Sequence, residues 1–291
     1  MRRLNKDSSM RADRWAQGIF QAAFGLFIAV WTVFLAVIAV GAWHFVVING
    51  WITPLLSTHW SPLAGHYGML AFILGSITVT ALALILAAPW VLALAVAGGR
   101  ILRGTMQQTF IQLLTVFVAV PSVIYGWWGL TIIVPLVRRL SGTSGFGPLS
   151  AGVVLALMIV PTFSIMALHA VRQVPSALVE GSLALGATDD QTLWHMVLPS
   201  AWPALAQAFL VAVGRALGET IAVQMVIGGQ SRLTSLLKPS ATLTSQLLTD
   251  LALMPPKTPG HDALDFMAIW LVLLMAVLVG LQYRMRRGLR G

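Results

Sequence analysis

The most patterned stretch of the chain is 175–199, PSALVEGSLALGATDDQTLWHMVLP. Pro175-Ser176 opens a helix with Ser176 as its N-cap. Leu178, Leu183 and Leu185 alternate with small and polar residues, and Gly186 stops the helix as glycine does just past a C-cap. Thr188-Asp189-Asp190-Gln191 then forms a capping box, with two carboxylates complementing a second helix N-terminus. That second helix is expected to run to about Val197 and to end at Leu198-Pro199. The reading is a helix–turn–helix with an acidic polar face (Glu180, Asp189, Asp190). An amphipathic connector resting on lipid headgroups is one reading of it. Anionic lipid surfaces favour basic faces, however, so docking onto a basic protein partner fits better.

Outward from this segment the chain is apolar. Of 291 residues, 58% are hydrophobic and 9% charged, against roughly 25% charged in a soluble domain. Too little polar surface remains to cover a water-soluble core, so an integral membrane protein in contact with membrane lipids is expected. The net charge of +9 would by itself point to nucleic acid. In so apolar a chain it reports orientation instead, and no nucleic-acid partner is expected. Without cysteine there is no disulfide framework, thiolate metal site or thiol nucleophile.

A bilayer core needs about 20 apolar residues per helix, and six spans meet that rule: 19–47, 68–97, 110–134, 151–171, 204–227 and 263–283. The run from Ile19 to Val47 exceeds a signal-peptide core of roughly 7–15 residues and lacks a small-residue cleavage site, so it reads as an uncleaved span. The third span holds Pro121, Gly126 and Gly129 and is a candidate for a broken or re-entrant helix, with Pro121 and Gly126 at the break. With the N-terminus inside, twelve basic residues fall on cytoplasmic segments, five on outer segments (Arg138, Arg139, Arg232, Lys238, Lys257), and Arg215 within a span. This split predicts an N-in/C-in, all-α protein. Its parts are a basic cytoplasmic N-terminus over 1–18, a first helix over 19–47 and an outer loop over 48–67. A five-helix core follows over 68–283, containing the cytoplasmic loop 172–203, and then a basic tail over 284–291. Trp43, Trp51 and Trp60 flank the first outer loop as interfacial residues do.

Span five carries GRALGET, Gly214 to Thr220. An arginine at a helix centre costs about 2.5–3.5 kcal/mol on insertion scales. If the helix starts near Leu205, Arg215 lies roughly 15 Å along it, half the bilayer core. Arg215 and Glu219 are four residues apart, so on a continuous helix they share a face and can pair. Two readings stay open. The pair stitches helices together structurally, or Arg215 lines a pathway and meets an anion, its planar fork suiting a tetrahedral oxyanion. Gly214 and Gly218 form an adjacent strip that lets a helix or substrate approach the backbone.

Glu180-Gly181-Ser182, three residues, Gly186, nine residues, Met196, one residue, Leu198-Pro199 resembles the EAA motif of bacterial ABC importer permeases, with Gly181, Ser182 and Met196 as departures. In that family the loop is a coupling helix seated on an ATPase subunit. The resemblance implies roles in ATPase coupling for Glu180, Gly186, Asp189, Leu198 and Pro199. Gly214 to Val223, with Pro121-Ser122-Val123-Ile124-Tyr125-Gly126, looks like the phosphate-specific transporter permeases, the PstC-type subunits more than the PstA-type. The likeness covers spans two to six. It implies a type I ABC importer permease fold in the bacterial cytoplasmic (inner) membrane, with Arg215, Glu219 and Thr220 on the substrate pathway. The partners it implies are an ATP-binding cassette ATPase dimer, a second PstA-like permease and an extracytoplasmic phosphate-binding protein. Sulfate and molybdate permeases carry a related stretch with Phe where Thr220 stands, so another oxyanion remains an alternative.

No Gly-Lys dipeptide occurs, so this chain has no P-loop for nucleotide. ATP hydrolysis is expected on another chain, and no cofactor, metal or catalytic residue is expected here. Two rival classes stand beside the importer. Gly142-Thr143-Ser144-Gly145 matches the GxSG of rhomboid intramembrane proteases, with His169 as a base, although the glycine- and proline-rich surroundings read as an outer loop. An ATP-independent secondary transporter suits six spans and an intramembrane arginine, but has no use for an ATPase dock. The histidines show no paired metal spacing. Tyr125, Trp127 and Trp128 line a pathway near the break or belong to an aromatic belt. Residues 255–260 form an irregular outer loop that a soluble binding protein can touch.

Overall fold

The computed structural model describes residues 4–232 and 234–288, with side chains described over 17–232 and 234–285. Several basic residues behind the topology count (Arg2, Arg3, Lys6, Arg11, Arg14, Arg286, Arg287 and Arg290) have side chains outside the described residues.

Among the described residues six helical runs are long and apolar enough to cross a bilayer: Gln17–Asn49, Leu70–Ile101, Ser122–Ser141, Pro148–Arg172, Asp189–Gly218 and Pro259–Met285. The first belongs to α1 (Leu4–Asn49). A short α2 (Ile52–Leu56) and a two-stranded hairpin, β1 (Trp60–Ser61) with β2 (His66–Tyr67), follow it and pair Trp60 with Tyr67. The expected loop over 48–67 is therefore a folded cap. Next come α3 (Leu70–Val96), α4 (Gly104–Ala119), α5 (Ser122–Trp128), α6 (Val134–Ser141) and α7 (Pro148–Arg172). The hairpin helices α8 (Ser176–Ala184) and α9 (Asp189–Thr192) lead into α10 (Leu198–Gly218), α11 (Ile221–Ile227), α12 (Leu243–Leu251) and α13 (Pro259–Gly288).

α7 is the axis of the fold. It packs against α3, α10, α4 and α11, and Val154, Leu155, Met158, Ile159 and Leu168 along it are nearly inaccessible. In contrast α1 is exposed over most of its described side chains, from Gln17 on, and docks on α13 near one end, where Phe45 meets Phe266. There His44 Nδ1 lies 2.6 Å from Asp262 Oδ2. An apolar helix face that no other helix covers needs lipid, or another subunit, in place of water.

Three boundaries differ from expectation, each through proline or a broken turn. The third span lies at Ser122–Ser141 rather than 110–134, because the chain leaves the helix at Val120 (ψ 125°) and Pro121 (ψ 140°). Proline lacks the N–H to continue α4 and pushes its predecessor out of the helical region. At Leu198-Pro199 the chain does not end a helix but begins α10. The Leu198 N–H reaches Leu193 O through a π turn over Leu193–Val197, and Pro199, in the first turn of α10, has no N–H to leave unsatisfied. Span five therefore starts earlier than residue 204. It also breaks at Glu219 (ψ 120°) and Thr220 before α11.

The segment between α11 and α13 contains α12, opened by a capping box of Thr242 and Ser245, and is irregular over 255–258. Asp250 is buried and accepts from Trp60 Nε1 at 2.7 Å and Gln246 Nε2 at 2.8 Å.

Candidate functional site

The helices end in two groups. The turn between α3 and α4 and the α8–α9 hairpin share one end, where they line a common cavity. The β-hairpin, the 142–147 segment and α12 gather at the opposite end.

At the hairpin end the local expectations hold closely. α8 stops in a Schellman arrangement: Gly186 N–H bonds Leu183 O at 2.9 Å and Ala187 N–H bonds Ser182 O at 3.2 Å. Gly186 sits at φ +88°, a backbone conformation without steric cost only for glycine. The Thr188–Gln191 capping box is complete in both directions. Ser182 and Thr192 hydroxyls, 3.0 Å apart, tie the two helices. Glu180, Leu185 and Gly186 are exposed, with Leu185 at 92%. Leu198 packs against the core, and Asp189 lines the cavity toward the start of α4. The expected coupling residues thus divide into a displayed tip (Glu180, Gly186) and an anchoring base (Leu198, with Pro199 on the exposed side of the first turn of α10). An exposed leucine beside a carboxylate on a rigid two-helix tip is suited to docking.

The second site lies where α4 gives way to α5 and α10 gives way to α11. Pro121 separates α4 from α5, and Tyr125 Oη donates to Phe117 O at 2.9 Å across the gap, satisfying a carbonyl freed at the end of α4. Gly126 lets α5 lie against α11, since a Cβ there would sit 2.7 Å from Met225 Sδ and 3.0 Å from Ala222 Cα. Pro121 and Gly126 together therefore bring α5 beside α11.

Glu219 and Arg215 do not form an ion pair. α10 ends at Gly218, so the two residues do not share a helical face. Glu219 Oε1 instead accepts the Ala222 N–H at 3.1 Å, and its carbonyl accepts Thr244 Oγ1 at 3.2 Å. The carboxylate caps α11. Thr220 Oγ1 donates to Gly218 O at 3.4 Å. Arg215 is exposed, and its charge reaches the Tyr125 phenol. A Cβ added at Gly214 beside it would meet nothing within 4 Å, and one at Gly218 only Met275 Cε at 3.6 Å. The strip by Arg215 is open in this chain rather than packed. Because α10 begins at Leu198 rather than near Leu205, Arg215 lies roughly 25 Å along it.

Sequence reading missed Thr244, Ser76 and Thr80. With Glu219 they line a small cleft beside the break. Only the Thr242-Leu243-Thr244-Ser245 cap signal could have revealed α12, which carries Thr244, whereas Ser76 and Thr80 lie on α3. The protease reading fails on geometry. Ser144 lies in a loop, its carbonyl accepting Arg138 Nε at 3.1 Å. His169 is at the other end of α7, about 30 Å along the helix.

Interrupted helices beside an exposed charge, in a bundle of membrane-length helices, are features that a permease would use. Comparison with known proteins agrees. The family described as binding-protein-dependent transport system inner membrane component matches residues 90–290, and the chain belongs to that family. It is thus a multi-pass subunit of the cytoplasmic membrane, and membership implies an ATPase and other transporter components as partners. A probable ABC transporter permease, YqgH of Bacillus subtilis (strain 168), is 35% identical over 78% of this chain and 75% of its own. The phosphate transport system permease PstC of Xylella fastidiosa (strain Temecula1) is 37% identical over 67% of this chain and 66% of its own. PstC of Haemophilus influenzae is 29% identical over 85% of this chain and 86% of its own. Among solved structures, an inward-facing MetNI methionine ABC transporter chain superposes with a TM-score of 0.56 at 20% identity. It covers 81% of this chain and 97% of its own, and shares the type I importer permease fold.

Proposed function

We propose that this chain is the PstC-like permease of an importer that moves inorganic phosphate into the cytoplasm. The observation that carries this reading is the exposed Arg215 guanidinium, beside the open Gly214 strip and between two helix breaks. A planar guanidinium fork suits a phosphate oxyanion, and several relatives are named phosphate permeases. Thr220 and Glu219 shape the break behind Arg215. Both chain ends and the α8–α9 hairpin lie in the cytoplasm, and the 142–147 and 228–258 segments outside. The hairpin tip docks on one subunit of an ATPase dimer, which hydrolyses ATP. A second PstA-like permease covers the open helix faces, and an extracytoplasmic phosphate-binding protein delivers the ion. Hairpin motion rocks the spans between outward-open and inward-open states.

Reconstituted transporter carrying Arg215→Ala should assemble normally but lose ATP-driven uptake of labelled phosphate. Unchanged uptake would remove Arg215 from the pathway. Competition by sulfate and molybdate tests the substrate: strong competition from either would assign the site to oxyanions generally. For the dock, Glu180→Lys should reduce the ATPase recovered with the purified permease; full recovery would place the contact elsewhere.

A further inference from the structure

At the end of the bundle opposite the hairpin, the segments that follow α6 and α11 lie on one another. Leu149, in the first turn of α7, donates its N–H to Leu236 O at 2.9 Å, and the Gly147 N–H reaches Val226 O at 3.2 Å. A Cβ at Gly147 would sit 2.7 Å from Lys238 O, and one at Gly228 would sit 3.0 Å from Phe146 Cβ. Arg138 of α6 joins the same layer through its Nε, which donates to Ser144 O at 3.1 Å. Arg138, Arg139, Arg232 and Lys238 are all exposed. Neither α6 nor the 142–147 and 228–240 segments contain a carboxylate. Among the described residues none of the four cations forms an ion pair. The carboxylates elsewhere at this end are engaged: Asp250 with Trp60 and Gln246, Asp262 with His44, and Asp265 against Gly41.

On the topology proposed above, on which this inference rests, the layer faces away from the cytoplasm. Arg and Lys are disfavoured on short outer segments of a membrane protein, so an unbalanced group of four departs from the rule that governs the rest of the chain. Its placement selects the kind of partner. α7 is the axis of the bundle, so a segment seated on its first turn stands over the centre of the bundle end, away from the lipid perimeter. Leu140 and Leu236 are 80% and 44% exposed among the cations. A free anion has no use for exposed leucine, whereas arginine beside apolar side chains is the composition of a protein interface. We propose that this layer is the dock for the soluble binding protein, which meets it with an acidic rim around an apolar contact. The layer also holds one end of the seven-residue α11, since Val226 O and Ile227 O accept the N–H groups of Gly147 and Ser240. Glu219 caps the other end. A partner seated here therefore bears on a helix whose far end is the break that follows Arg215.

The test is binding of the phosphate-loaded phosphate-binding protein of the same organism to the complete transporter in phosphatidylcholine nanodiscs. Raising the ionic strength from about 0.05 to 0.3 M should weaken binding about tenfold. Arg139→Glu combined with Lys238→Glu, both at exposed positions, should raise Kd about tenfold at low salt, mainly through slower association. Arg103→Glu, the same kind of charge change on the exposed face at the opposite end, should leave Kd unchanged. No binding by the unaltered transporter, or equal weakening by Arg103→Glu, overturns the dock. Two further results do so as well. If the reversals matter only in phosphatidylglycerol nanodiscs, the cations serve lipid. If they weaken binding of labelled inorganic phosphate alone but not of the soluble protein, they serve the free ion. Docking is measured apart from uptake, so the two readings fail separately. Normal uptake by Arg215→Ala, with docking that depends on Arg139 and Lys238, would remove only the transport reading. Uptake lost in Arg215→Ala, with docking indifferent to the reversals, would remove only this one.

Discussion

The carboxylate of Glu219 holds a backbone N–H of α11, not the guanidinium four residues before it. Spacing predicts a pair only while the helix continues, and here it stops one residue short. The two charges therefore separate into different tasks. Glu219 fixes the break by capping α11, and Arg215 is left exposed. If capping is its task, an oxygen acceptor suffices. Glu219→Gln should leave the thermal stability of the purified permease unchanged. Glu219→Ala should lower it by about 1 kcal/mol, the usual cost of a lost cap. Equal destabilisation by both substitutions would mean that the charge itself holds the segment. The identities and spacing of these residues are legible in the sequence. The bond that Glu219 makes is not, because it depends on where α10 ends.

Among the elements, the hairpin was the most legible and the helix breaks the least. Capping residues act within four positions, so Gly186, Thr188 and Gln191 announce their bonds locally. Replacing Gly186, at φ +88°, by alanine should cost about 1 kcal/mol and lower ATPase recovery with the permease; unchanged recovery would show that the tip tolerates remodelling. The Leu198-Pro199 pair misled because a proline in the first turn of a helix and one after its end look alike in sequence. A π turn, invisible to periodicity, carries the chain on into α10. The Pro121 break was legible, whereas its use was not. Gly126 shows why: the α5–α11 approach it permits joins residues nearly a hundred positions apart. Gly126→Val should push α5 from α11, with an overpacking cost of about 1–3 kcal/mol and a fall in phosphate uptake. Wild-type melting and uptake together would refute the close packing.

For the whole molecule, the apolar fraction and the distribution of basic residues carry most of the architecture. The number of spans is set by length and hydropathy, and six helical runs among the described residues meet both. Orientation is expected from the excess of Arg and Lys on the segments assigned inside. A reporter enzyme active only outside the cytoplasm should be inactive when fused after Gly291 and active when inserted within 142–147. The reverse pattern would invert the topology. Composition and periodicity by themselves determined a six-span membrane protein with a capped two-helix hairpin, because hydrophobicity and capping are local properties. Only the tertiary structure decided that α7 is the axis and that α12 closes one end. It alone placed Arg215 in the open between two breaks, and the 236–238 segment over the first turn of α7. Those arrangements depend on proline breaks and close glycine contacts between distant segments, whose outcome is fixed only when the helices pack.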